Sequence, residues 1–130
     1  MVVMDASAMV EALVGRDVDP ELLDLLSGEV AVPHLLDIEV LSALRGLVLG
    51  GVLATEAAHL AYTDYFSLAL RRQETAPLAD RIWQLRDQFT AYDACYIALA
   101  EGMDVPLVTC DRLLRSGGHT AQVLVFGLGR

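Results

Sequence analysis

Val2-Val3-Met4-Asp5-Ala6-Ser7-Ala8 decides the fold. A short apolar, β-rich run ends in an acid, and from Ala6 to about Val14 the pattern becomes helical. The same order returns near the other end of the chain, where Leu107-Val108-Thr109 leads through Cys110 to Asp111 and a helical turn at Arg112 to Arg115. Val30-Ala31-Val32, closed by Pro33, reads as another strand, and Val123-Leu124-Val125-Phe126 as the last. The helices fall between them. Asp19-Pro20 opens one as cap and first residue, Leu22, Leu23, Leu25 and Leu26 form its buried face, and Gly28 stops it. A long helix spans about Leu35 to Leu49, ended by Gly50-Gly51, and a further one runs from Thr55 to about Leu68. Leu68 to Thr75 has room for a short strand. Pro77 opens a helix carrying Leu78, Ile82, Trp83 and Leu85, and Thr90 to Glu101 is another, with Gly102 at its stop. Short apolar strands alternating with amphipathic helices predict an α/β domain on a parallel sheet. No repeat, linker or low-complexity tract divides residues 1–130, which read as a single domain.

Composition narrows the chemistry. The 130 residues include nine Arg, no Lys and 18 acids, for a net charge of −9. Without lysine there is no phosphate-binding Gly-Lys-Ser/Thr loop and no Schiff-base amine. Dehalogenase-type phosphatases and phospho-receiver domains also place an acid after the first strand, but they steady the phosphoryl group with a lysine. Such acidity repels nucleic acid unless metal ions or a local Arg patch intervene. An apolar fraction of 55% is high for so small a soluble domain and suggests a second chain against part of the surface. Cys95 and Cys110 form no metal or disulfide framework and fit a reducing compartment. The N-terminus lacks the features of a signal peptide, and the apolar run from Gly46 to Ala54 falls well short of the ~20 residues of a spanning helix. A cytoplasmic protein is expected, with no membrane contact.

Four acids stand out, and each has a structural explanation of its own. Asp5 and Asp111 suit helix N-caps. Thr90-Ala91-Tyr92-Asp93 is a capping-box pattern. Glu39 lies early in its helix, where the macrodipole favours negative charge. Their conjunction is the stronger signal. In an open parallel sheet the strand C-termini and helix N-termini share one edge, where ligands bind, so Asp5, Glu39, Asp93 and Asp111 should gather along one rim. A like-charged pair about 4 Å apart costs roughly 4 kcal/mol at an effective dielectric near 20. Either protons or a cation must relieve that repulsion. With no His or Cys at ligand spacing the donors are all oxygen, which suits Mg²⁺ or Mn²⁺, the usual apparatus of phosphate-ester chemistry.

These motifs resemble those of PIN-domain ribonucleases. Met4-Asp5-Ala6-Ser7-Ala8 is similar to the family's opening motif, an aspartate with Ser or Thr two residues on, and Glu39-Val40-Leu41-Ser42-Ala43-Leu44-Arg45 to its second. Thr90 to Ala100 closely resembles the third and most specific motif, and Val108-Thr109-Cys110-Asp111-Arg112-Leu113-Leu114 the fourth. The order and the size resemble VapC-type toxins of toxin–antitoxin pairs. Ser116-Gly117-Gly118-His119 departs from the usual helical continuation after the fourth acid. The resemblance implies a PIN-like three-layer α/β/α fold with four or five parallel strands, metal-dependent (Mg²⁺ or Mn²⁺) cleavage of RNA, a homodimer, and neutralisation by a cognate VapB-type antitoxin. A catalytically silent PIN scaffold that works by binding protein is the alternative.

Within that frame Asp5, Asp93 and Asp111 are expected as metal ligands, and Glu39 as a group acting on a water. Ser7 and Thr109 are expected to hydrogen-bond the carboxylates or, equally, to form local turns. Arg112 and Arg115 are candidates for RNA phosphate contacts. His34, His119, Cys95 and Cys110 are read as structural. Tyr62, Tyr65, Phe66, Ile82 and Trp83 supply more bulk than so small a core needs and are expected in the core or a dimer face.

Overall fold

A computed structural model of the chain describes residues 1–129. Its strands are β1 (Val2–Met4), β2 (Val30–Pro33), β3 (Arg71–Gln73), β4 (Leu107–Thr109) and β5 (Val123–Val125). Its helices are α1 (Ala6–Val14), α2 (Pro20–Ser27), α3 (Leu35–Leu49), α4 (Thr55–Ser67), α5 (Ala79–Gln84) and α6 (Ala91–Met103). The sheet order is β3-β2-β1-β4-β5, every pairing parallel, within the expected α/β/α layering. Buried Val2, Val3, Met4, Val30, Ala31, Val32, Leu107 and Val108 fill the three inner strands, as a sheet covered on both faces requires. Helix α6 packs across β1, β2 and β4, while α1, α3 and α4 pack against one another. The chain runs outward from β1 in one direction through β2 and β3 and in the other through β4 and β5, so the order reverses between β1 and β4. In open α/β sheets the crevice at such a reversal is the binding position.

Several local expectations change. The helix expected from Pro77 splits into a 3-10 turn at Ala76–Leu78 and the short α5, and the turn at Arg112–Arg115 is also 3-10. Gly102 does not stop α6. The helix continues to Met103, and Asp104 takes the left-handed conformation (φ 53°), with Asp104 N–H donating to Glu101 O and Val105 N–H to Ala100 O. This is a Schellman ending in which an aspartate takes the place usual for glycine. Met103 packs on the core, which favours the two-residue extension. Of the two places expected for Tyr65, the core is the one it takes: it is fully buried, and its hydroxyl donates to Asp37 at 2.6 Å. Phe66 and Trp83 are exposed, Trp83 to 68%.

Two ion pairs tie the sheet's flanks. Arg72 on β3 bridges Asp37 on α3, and the guanidinium of Arg81 on α5 grips both oxygens of Glu101 on α6 at 2.7 and 2.9 Å. Glu101 also accepts from Thr120 N–H, and Arg81 donates to Gly118 O, so one cluster fixes α5, α6 and the loop leading to β5. Arg81 holds the Glu101 carboxyl down to about 2. A depressed carboxyl stabilises the fold above its unfolded value and loses that effect as pH falls toward the folded one. Glu101→Gln should therefore cost about 1–2 kcal/mol at pH 7, a figure discounted for the partly open guanidinium. In urea denaturation that difference should shrink as pH is lowered from about 4 to about 2.

Candidate active site

Asp5 lies at the C-terminal end of β1 and caps α1, and it is only 6% exposed. A carboxylate this buried needs donors, and they come from both sides of the sheet reversal. Its Oδ1 accepts from Ser7 Oγ at 2.7 Å and from Ala8 N–H at 3.0 Å, and its Oδ2 accepts from Thr109 Oγ1 at 2.5 Å. The hydroxyls are themselves oriented: Cys110 N–H donates to Ser7 Oγ and Asp111 N–H to Thr109 Oγ1. Each hydroxyl has one proton, already given to Asp5, so the 3.2 Å approach of Ser7 Oγ to Thr109 Oγ1 is a packing contact. A carboxylate offers about four lone-pair sites. Three are filled, and the remaining one is on Oδ2.

The other acids approach from the neighbouring helix starts. Glu39, in the second turn of α3, is held by the Tyr96 hydroxyl, which donates to Oε1 at 2.6 Å. Asp93 is in the first turn of α6, its N–H accepted by the capping Thr90 hydroxyl. Asp111 caps the 3-10 turn after β4 through Leu113 N–H. Burial raises the carboxyls of Asp5, Glu39 and Asp93 above the ordinary range. Repulsion adds to it: Asp5 and Asp93 each feel Asp111, Glu39 feels Asp5 and Asp93, and Asp93 feels Asp5. Hydrogen bonds from Thr109, Ser7 and Ala8 oppose the shift at Asp5, and that from Tyr96 opposes it at Glu39. Neither ion pair found among the described residues involves these four acids. Repelling carboxylates with only oxygen donors suit a hard divalent cation. Among the described residues, however, no three His, Cys, Asp or Glu side chains stand close enough to form a ready-made cage. That spacing is compatible with Mg²⁺, which usually keeps several waters and takes one or two carboxylates.

The remaining candidates separate clearly. Arg112 and Arg115 are exposed on the turn following Asp111. His34 is exposed at the start of α3 and makes no capping bond. His119 fixes its loop: Nδ1 accepts from Ala121 N–H, so the ring proton sits on Nε2 and donates to Leu114 O at 2.7 Å. Burial raises both thiols, Cys110 to about 11 with Asp5 contributing, and Cys95 with Glu39 contributing. Both thiols are therefore poor nucleophiles at neutral pH. Tyr96 is the site residue that sequence reasoning missed. It is three residues beyond Asp93, a spacing that puts two side chains on one helix face, and that was its available signal.

Comparison with known proteins gives the same picture. A family model described as PIN domain matches residues 2–118. Ribonuclease VapC12 of Mycobacterium tuberculosis is 38% identical over 125 residues, covering 95% of this chain and 97% of that protein. Among solved structures, PAE2754 from Pyrobaculum aerophilum superposes with a TM-score of 0.69 at 26% identity, covering 87% of this chain and 76% of that one. A chain of a toxin–antitoxin complex from Klebsiella pneumoniae shares the fold, with a TM-score of 0.60 at 17% identity over 85% of this chain and 87% of its own.

Two substitutions test the energetics of the site in metal-free protein. Asp93→Asn removes a repelled charge and should raise the thermal midpoint by a few degrees in the presence of a chelator. Thr109→Val leaves a buried carboxylate oxygen and the Asp111 N–H short of a partner and should cost about 1–3 kcal/mol. Thermal and urea unfolding of the two variants beside the parent measure both effects.

Proposed function

The chain belongs to the PIN-domain family, in its VapC-type branch, and from that membership we propose that it is a metal-dependent endoribonuclease. It hydrolyses RNA phosphodiester bonds as the toxin of a toxin–antitoxin pair, as a single PIN domain over residues 1–130 acting in the cytoplasm. The observation that supports this reading is the mutual repulsion among Asp5, Glu39, Asp93 and Asp111 near the reversal of the sheet order, which a bound cation would relieve.

Mg²⁺, or Mn²⁺ in its place, supplies when bound the positive charge that acidifies a water for in-line attack and steadies the leaving oxygen. Asp5, through the lone-pair site left on Oδ2, would hold the ion directly, and Asp93 and Asp111 would bind it through its retained waters where they do not reach it themselves. Ser7 and Thr109 fix the Asp5 carboxylate and favour its ionised form. Tyr96 occupies Glu39 Oε1, which leaves Oε2 to take the proton of the attacking water. Arg112 and Arg115, exposed beside Asp111, meet the RNA backbone. The charge of −9 suits a basic protein partner, and an arginine from a VapB-type antitoxin would offer these carboxylates the compensation that metal otherwise gives. Exposed Phe66 and Trp83 support a homodimer face on α4 and α5.

The decisive experiment is cleavage of RNA by purified protein with and without Mg²⁺. Asp5→Asn and Asp93→Asn should each slow metal-dependent cleavage by at least about 100-fold and remove growth inhibition, while Tyr96→Phe slows it about 10–100-fold. Well-folded parent protein that cuts no RNA with either metal would favour the silent protein-binding scaffold. The dimer is tested by sedimentation equilibrium at micromolar concentration, where the antitoxin-free chain should have twice its monomer mass. A monomer there would reject the dimer face.

A further inference from the structure

Beside the carboxylates is a small apolar pocket of about 220 Å³, lined by Leu35, Thr75, Ile82, Ala91, Tyr92 and Cys95. Three of its lining residues neighbour site residues along their helices. Tyr92 precedes Asp93 on α6, so their Cα atoms are about 3.8 Å apart. Leu35 is one helical turn before Glu39 on α3, a spacing that brings Cβ atoms within about 5–6 Å. Cys95 adjoins Tyr96, the residue holding Glu39, and its thiol feels the Glu39 charge. The pocket is smaller than the ~300–1,000 Å³ of sites for drug-sized ligands, so it is sized for one ring system rather than a polypeptide segment. Its one large aromatic wall, Tyr92, is 60% exposed. Thr75, whose side chain caps no helix, adds a hydroxyl at the rim.

We propose that this pocket receives one unstacked base of a single-stranded RNA, on a nucleotide flanking the scissile phosphate, with Tyr92 as its stacking platform. The inference rests on the ribonuclease reading and adds where the substrate is gripped. Charge favours a base over any other part of the strand. At −9 the protein repels phosphates that lack a cation beside them, whereas a base is neutral and can enter an apolar recess next to the acids. Stacking on a single ring tolerates any base, so the pocket positions the strand, and the Thr75 hydroxyl is its means of preferring one base edge.

The test uses a single-stranded RNA containing a bond that the parent protein cuts, and the same RNA with an abasic ribose at each flanking position in turn. One abasic position should slow the parent by about 5- to 150-fold, the range of one base–aromatic stack. Tyr92→Ala should lose a similar factor on intact RNA, mainly in KM, and be insensitive to that same abasic substitution. Tyr92→Phe, which keeps the ring, should keep the abasic penalty. The proposal is overturned if Tyr92→Ala and the abasic penalty multiply as independent losses, or if no flanking position matters. It is also overturned if Tyr92→Ala changes the sedimenting mass, because the pocket would then serve a protein interface. A parent that cuts no RNA in the metal-dependent assay, so that no such bond is found, removes the ribonuclease reading itself, and a parent that cuts intact and abasic RNA equally removes only the pocket.

Discussion

The burial of Asp5 is the constraint on which the rest of this structure depends. A carboxylate at the end of the central strand, 6% exposed, would be untenable in an apolar core without donors. The fold supplies them from two elements: the first turn of α1, through Ala8 N–H and Ser7, and the end of β4, through Thr109. Both hydroxyls are in turn polarised by backbone N–H groups of Cys110 and Asp111. Each forms an N–H to O–H to carboxylate relay whose members strengthen one another. The β1–β4 pairing, in register Val3 with Leu107 and Met4 with Val108, therefore brings the relays to the carboxylate as well as closing the sheet.

From that arrangement the placement of the other acids follows. The edge bearing the C-termini of β1 and β4 also receives the starts of α3 and α6, and with them Glu39 and Asp93. Tyr96 links the two helices by reaching from α6 to Glu39 on α3. Its hydroxyl pKa is pushed far above the ordinary phenol range by burial and by the Glu39 hydrogen bond, so at any physiological pH it stays a donor. Tyr96 therefore holds Glu39 in one pose without competing with it for protons.

What could be read from the sequence was what local chemistry encodes. Strand–acid–helix order, the Asp19-Pro20 start and the Thr90 cap are signals carried by adjacent residues, and the elements match them closely. The rim of acids followed from one added premise, that parallel sheets put strand ends and helix starts on the same edge. The missed features are non-local or depend on competition. Tyr96 and Glu39 are 57 residues apart, and no local pattern pairs them. Gly102 carries the usual stop residue, but a stop needs a left-handed conformation at the right position. Packing of Met103 moved that position to Asp104. Tyr65 is expected in the core or a dimer face, and the choice between them rests on non-local packing, including its hydrogen bond to Asp37, 28 residues away.

The distribution of positive charge explains how the fold tolerates an acidic centre. Arg72 and Arg81 form the ion pairs among the described residues, and both lie on the flanks, one tying β3 to α3 and the other tying α5 to α6. Their partners, Asp37 and Glu101, are on the same helices as Glu39 and Asp93. Each of these helices is thus anchored through an acid that has a cation, while the acid aimed at the rim has none. Had either arginine lain at the rim, it would have relieved the repulsion there and lowered the carboxyl pKa values that burial and like charge now raise. The flanking acids are neutralised by arginine, and the repulsion among the rim carboxylates is answered instead by raised carboxyl pKa values.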